Sequence, residues 1–158
     1  MKKIKIGITG CLGRMGQELI KAANKDKRIL ISSLTESKKY NKKINQLSIQ
    51  NNSIEAFKNT DVIIDFTTPE CTMQVLEIAA KLKKKIVIGT TGFTEKQENF
   101  INKLSKKISI LKSGNMSVGV NLLLYITEIV SKSLSNDFLL RVFLKKLKNF
   151  GALINEKN

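Results

Sequence analysis

Glycines 7, 10, 13 and 16 fall at a spacing of three in GITGCLGRMG, directly after an apolar run. The chain has nine glycines in all, so nearly half are concentrated in ten positions. Each costs roughly 0.5–1 kcal/mol against alanine inside regular structure, and such a cluster marks an unusual backbone path. Lys2 to Thr9 (KKIKIGIT) alternates lysine and isoleucine, which predicts a strand. A helical pattern is established by Gln17 to Ala23, and the helix is expected from about Gly13. The glycines therefore occupy a strand-to-helix turn, where backbone N–H groups can cradle a phosphate. They do not spell the common G-x-G-x-x-G, because Leu12 stands at the second glycine position counted from Gly10. Two readings stay open on the residues alone: a phosphate-holding turn with Arg14 beside the anion, or a tight turn without a ligand.

The rest of the chain repeats the strand–helix alternation. Arg28 to Leu34 (RILISSL) predicts the second strand, and the polar stretch 36–52 predicts a loop with at most a short element around Ile44 to Leu47. Ser53 to Phe57 predicts one helical turn. Asp61 to Phe66 (DVIIDF) is a short apolar run suited to a strand buried on both faces. Thr68-Pro69 is a helix start with a threonine cap and proline in the first turn, and the helix extends to about Leu82. Lys85 to Gly89 predicts a strand. Thr94 to Gln97 has the capping-box form, opening a helix to about Lys106. Ile108 to Leu111 predicts a last strand, and Val118 to Leu134 a long helix. This order predicts an α/β domain over residues 1–135: a Rossmann-like parallel sheet with helices on both faces. In such sheets ligands bind beyond the carboxyl ends of the strands, at the switch point. The segments there are 10–16, Glu36, 66–69, 89–92 and 113–117, which are also rich in glycine, serine and threonine. Glu36 lies twenty residues after Gly16, where a carboxylate accepts from ribose hydroxyls. Lys38 and Lys39 follow and are suited to a 2′-phosphate; a charged loop without a ligand is the alternative.

Composition removes several function classes. The formal net charge of +15 invites a nucleic-acid reading, but only three of the 28 basic residues are arginine and aromatics make up 6% of the chain. Stacking platforms of the kind nucleic-acid grooves use are therefore scarce, and a general polyanion affinity is the remaining form of that reading. With no histidine and only Cys11 and Cys71, a structural metal site lacks ligands. Both cysteines are expected to be small, semi-buried residues in loops. No apolar run reaches the roughly 18–20 residues of a membrane span, and the start runs into a lysine-spaced strand without a signal peptide's apolar core. A cytoplasmic chain is expected.

Four segments in order, GRMG (13–16), DFTTPECT (65–72), VIGTTGF (87–93) and NMSVGVN (115–121), carry a family resemblance. Over about residues 1–138 the chain resembles the N-terminal domain of 4-hydroxy-tetrahydrodipicolinate reductases, also called dihydrodipicolinate reductases, of bacterial lysine and diaminopimelate synthesis. The resemblance implies a domain that binds NADH or NADPH in an oxidoreductase passing hydride to a cyclic dicarboxylate imine. It implies that Gly10, Cys11, Leu12, Gly13, Arg14 and Met15 hold the pyrophosphate, and that Glu36 holds the adenosine ribose. Gly89, Thr90 and Thr91, with Ser113, Gly114, Asn115 and Met116, would line the nicotinamide end.

Beyond Phe138 the family pattern of paired histidines and a lysine is replaced by LLRVFLKKLKNFGALINEKN. Residues 136–158 are expected to be a divergent tail with the substrate domain absent, and no catalytic role is carried to Lys145, Lys146 or Lys148. The expected behaviour is cofactor binding with little or no turnover, and without the family's tetramer. A non-catalytic nucleotide-binding module and a basic polyanion-binding protein are the alternatives.

Overall fold

The computed structural model describes residues 2–38 and 40–133. Expectations for Lys39, for the boundary at residue 135, and for the tail 136–158 with Lys145, Lys146 and Lys148 lie outside them. The chain divides into two compact units, Met1–Lys112 and Ser113–Asn158.

The first unit is a seven-stranded sheet. Its elements are β1 (Ile4–Thr9), α1 (Arg14–Lys25), β2 (Ile29–Glu36), β3 (Lys43–Ile44), β4 (Leu47–Asn51), α2 (Ile54–Phe57), β5 (Val62–Asp65), α3 (Pro69–Lys81), β6 (Lys85–Ile88), α4 (Glu95–Ser105) and β7 (Ile110–Lys112). The strand order is β3-β4-β2-β1-β5-β6-β7. All pairings are parallel except the antiparallel pair of β3 and β4. The order runs outward in opposite directions from β1 and β5, which puts the switch point between them.

Alternation along the strands decides which helix covers which face. In β5, Ile63 belongs to the cluster of Phe57, Val75, Leu76, Ile86, Ile88, Ile101 and Leu104 from α2, α3, α4 and β6. The next residue, Ile64, packs with Ile6, Ile8, Ile20, Ala23, Leu34 and Ile49 on the α1 face. Buried Gly16, Ile20 and Ala23 give α1 an apolar stripe at i, i+4 and i+7. Helices thus cover both faces, as expected from the alternating order.

Two features were not legible in the pattern. The β1–β2 register skips one residue, pairing Ile6 with Ile31 and then Gly7 with Ser33. Ser32 is the extra residue, and its hydroxyl donates to the Ile6 carbonyl at 3.1 Å. The bulge lets Ile31 and Leu34, three apart, both serve the α1 face. The second is a correction: segment 36–52 is not a loop throughout, and the short element around Ile44 to Leu47 is part of the β3–β4 hairpin, whose second strand joins the sheet with Leu34 paired to Ile49. Its two turn residues, Asn45 and Gln46, both have positive φ (51° and 66°), the backbone of a tight hairpin. Glutamine is an unusual residue there, so the usual turn signal is missing.

The second unit contributes α5 (Val118–Ser133), on the span expected. Among the described residues no helix is long and apolar enough to cross a membrane.

Candidate functional site

The chain leaves β1 through Gly10, whose φ of +67° suits glycine. The Gly10 and Cys11 N–H groups donate to the Thr35 carbonyl at 2.9 and 3.2 Å, and Gly13 N–H donates to the Gly10 carbonyl at 3.0 Å. Gly16 allows the helix to fold back against this turn: a Cβ there would stand 2.2 Å from the Gly10 carbonyl oxygen. Gly13 caps α1 without a side-chain hydrogen bond, and the first turn of the helix carries no acidic residue. The early N–H groups of a helix have no intrahelical acceptor, and among the described residues no side chain satisfies them. Gly13, Arg14 and Met15 are exposed around that end.

Of the six turn residues expected to hold a pyrophosphate, four therefore use their N–H groups internally. Leu12 N–H is the fourth, donating to Glu36 Oε1 at 2.7 Å. Arg14 and Met15 are left at the helix start. Glu36 ends β2 half-buried, with one oxygen committed to the turn and the rest of its acceptor capacity outside that bond. Cys11 is fully buried, a correction to the semi-buried place expected for it; burial, reinforced by the nearby Glu36 charge, pushes its thiol up to about 11. It is a packing residue rather than a nucleophile, as is half-buried Cys71, which lies in helix α3 rather than in the loop expected and whose thiol burial also raises.

The ends of β5 and β6 lie beside this turn. A Cβ on Gly10 would stand 2.7 Å from Thr67 Cγ2, and one on Gly89 would stand 2.0 Å from the Phe66 ring. Gly89 N–H donates to the Asp65 carbonyl at 2.8 Å. Thr90 is buried: its Oγ1 accepts from Thr67 N–H and from the Thr72 hydroxyl, both at 3.0 Å. Thr91 is exposed. So, of the two expected threonines, Thr90 anchors the loop inward and Thr91 faces outward. Phe66 and Thr67 belong to this constellation; the sequence placed them in the strand-end segment 66–69 without giving either a role in the cofactor site. Their position after an apolar strand was visible in the sequence, but their contacts arise from segments twenty or more residues apart.

Gly10 to Met15, Glu36 and Gly89 to Thr91 are thus all placed at the carboxyl ends of strands in the first unit. Ser113, Gly114, Asn115 and Met116 open the second unit. There the Ser113 hydroxyl donates to the Asn115 carbonyl at 2.8 Å, Asn115 Oδ1 accepts from Ser117 N–H at 2.9 Å, and Asn115 Nδ2 donates to Asn121 Oδ1 at 3.2 Å. Among the described residues no group of three or more histidine, cysteine or acidic side chains is placed to hold a metal.

A parallel sheet wound outward from β1 and β5, with a glycine turn leading into an uncapped helix at the switch point, defines a Rossmann-like α/β domain. Residues 4–116 match the family described as dihydrodipicolinate reductase, N-terminus, and the chain belongs to that family. It is 57% identical over 143 residues to a 4-hydroxy-tetrahydrodipicolinate reductase of Pelagibacter ubique, covering 90% of this chain and 55% of the relative. A reductase of the same name from Buchnera aphidicola is 40% identical, with 85% and 54% covered. The chain spans about half the length of the curated relatives it matches. Among solved structures, a dipicolinate-bound dihydrodipicolinate reductase from Paenisporosarcina superposes with a TM-score of 0.71 at 18% identity, over 99% of this chain and 68% of that one. A homoserine dehydrogenase of S. aureus follows at 0.55 and 19% identity, over 70% of this chain and 32% of that one. Those two likenesses concern the fold.

Proposed function

We propose that this chain binds NADH or NADPH along the carboxyl edge of its sheet and is the cofactor-holding half of a 4-hydroxy-tetrahydrodipicolinate reductase. The observation that carries the reading is the pairing of an uncapped, acid-free helix start at Gly13–Met15 with Glu36, which is tied to the same turn. A helix start of this kind attracts a phosphate through its N–H groups and dipole, and Arg14 adds a cation. Glu36 keeps an oxygen for the adenosine ribose, and Lys38 is near in sequence for a 2′-phosphate. Thr91 is exposed on the neighbouring loop, beside half-buried Gly89. When bound, the dinucleotide supplies the hydride; the residues of this chain bind and orient it.

The small-molecule substrate, a cyclic dicarboxylate imine, comes from the family name and resemblance, as does a place in the cytoplasm and in lysine and diaminopimelate synthesis. Reduction of such an imine needs cationic groups for two carboxylates and a proton donor. These 158 residues contain no histidine, and lysine, with a free pKa near 10.4, is a poor proton donor at neutral pH. Turnover is therefore expected to be weak. The test is a fluorescence titration with NADH and NADPH. Saturable binding supports the proposal, and absence of binding to both overturns it.

A further inference from the structure

We propose that Asp65 is a positioning residue, setting the loop after β6 against the glycine turn through a hydrogen-bonded chain that runs by way of Thr67 and Thr90. The proposal rests on the dinucleotide reading above and names a residue acting behind that site.

Asp65 ends β5 and is 0% exposed. Its Oδ1 accepts from the Thr67 hydroxyl at 2.6 Å, while Oδ2 has no hydrogen-bond partner among the described residues. A buried carboxyl without a cation is costly, and packing alone would be served better by an apolar side chain. What the carboxyl supplies is a fixed acceptor for Thr67. Thr67 is the residue on which three strand-end loops converge. Its methyl lies against Gly10 after β1, its N–H donates to Thr90 Oγ1 after β6, and it follows β5 itself. Thr72 from α3 closes the network on the same Thr90 oxygen, and the Asp65 carbonyl holds Gly89 N–H. Register places Asp65 beside Thr9, and Thr9 beside Thr35. The hydroxyls of Thr9 and Thr35 are likewise buried without partners among the described residues. The polar row therefore crosses β2, β1 and β5 directly beneath the strand ends. Removing the Asp65 acceptor frees Thr67 to rotate, and with it the anchor that keeps Thr90 inward and Thr91 outward.

The experiment is amide hydrogen exchange on the full chain, read residue by residue, with NADH affinity measured in parallel by fluorescence. Asp65→Ala and Thr67→Val are expected to speed exchange at Thr67 and Gly89 at least tenfold, leave Ile6 and Ile8 unchanged, and weaken NADH at least tenfold. Asp65→Asn keeps an acceptor oxygen and is expected to restore slow exchange at both amides. If Asp65→Ala fails to fold, Thr67→Val carries the same comparison. Unchanged exchange at Thr67 and Gly89 overturns the proposal whether or not NADH binds. Faster exchange with unchanged affinity overturns it too, and leaves the cofactor reading standing. A wild-type chain that binds neither dinucleotide overturns the cofactor reading, and with it the positioning role.

Discussion

Glu36 shows how one side chain serves both the turn and a ligand. Its Oε1 holds Leu12 N–H, so truncation disturbs the turn as well as removing a ribose acceptor. A charged hydrogen bond is worth about 1.5–3 kcal/mol, which is roughly tenfold or more in affinity. Glu36→Ala is therefore expected to weaken NADH at least tenfold and NADPH less, because the lost carboxylate also repels a 2′-phosphate. Calorimetric titration checks this, and equal small changes for both cofactors would refute the assignment. Asp65 makes a prediction of a different kind. Burial raises its pKa, and the hydrogen bond from the Thr67 hydroxyl opposes that rise without cancelling it; of the neighbouring ionisable groups, Cys71 on α3 is itself raised by burial and by the Asp65 and Glu36 charges. The fold favours the protonated acid. The associated stability is full below the unfolded value of about 3.9 and is lost as pH rises through the raised folded value. Wild-type melting temperature should fall relative to Asp65→Asn over that rise. A pH-independent difference between the two would contradict it.

At the scale of elements, helix starts are written most plainly in this chain. Thr94 and Gln97 form the reciprocal capping box of α4, Thr68 accepts from Cys71 N–H ahead of Pro69 in α3, and Ser53 accepts from Ala56 N–H in α2. Among α1 to α4, α1 departs from the rule: glycine stands at its cap, and it is the helix that points at the proposed phosphate. Thr94→Ala should cost about 1 kcal/mol, lowering the melting temperature by about 2–4 °C for a chain of this size, while Thr94→Ser should keep most of the stability. Differential scanning calorimetry reads both, and an unshifted Thr94→Ala would show that the box contributes nothing. The partly buried Lys112–Glu98 pair ties β7 to α4 beside the Phe93 ring, which no local pattern announced. That pair spans fourteen residues and depends on the packing of the helix.

Across these 158 residues no histidine is present to donate a proton, and that governs the activity expected of this stretch. Loss of a general acid typically costs about 10²–10⁴-fold, and loss of substrate positioning adds to it. Hydride transfer by this chain should therefore run at least 10²-fold below that of the longer Pelagibacter ubique relative in a coupled assay with freshly generated substrate. NADH titration of the same preparation should still saturate. Comparable turnover in the two proteins would overturn the expectation of weak activity.

The alternation of apolar strands with capped helices, and the glycines at 7 to 16, were sufficient to determine a parallel α/β fold and the place of its turn, because those signals are local. The bulge at Ser32 and the β3–β4 hairpin were not legible: one depends on the partner strand's register, the other on a turn whose Asn-Gln pair lacks the usual glycine. The candidate turn residues could be named from the sequence, but their division of labour could not. That Leu12 N–H is taken by Glu36, that Thr90 points inward, and that Phe66 meets Gly89 and Thr67 meets Gly10 and Thr90 follow from strands brought side by side. A hydrogen bond between residues twenty or more apart leaves no mark on either one's local pattern, so only the tertiary structure decides it.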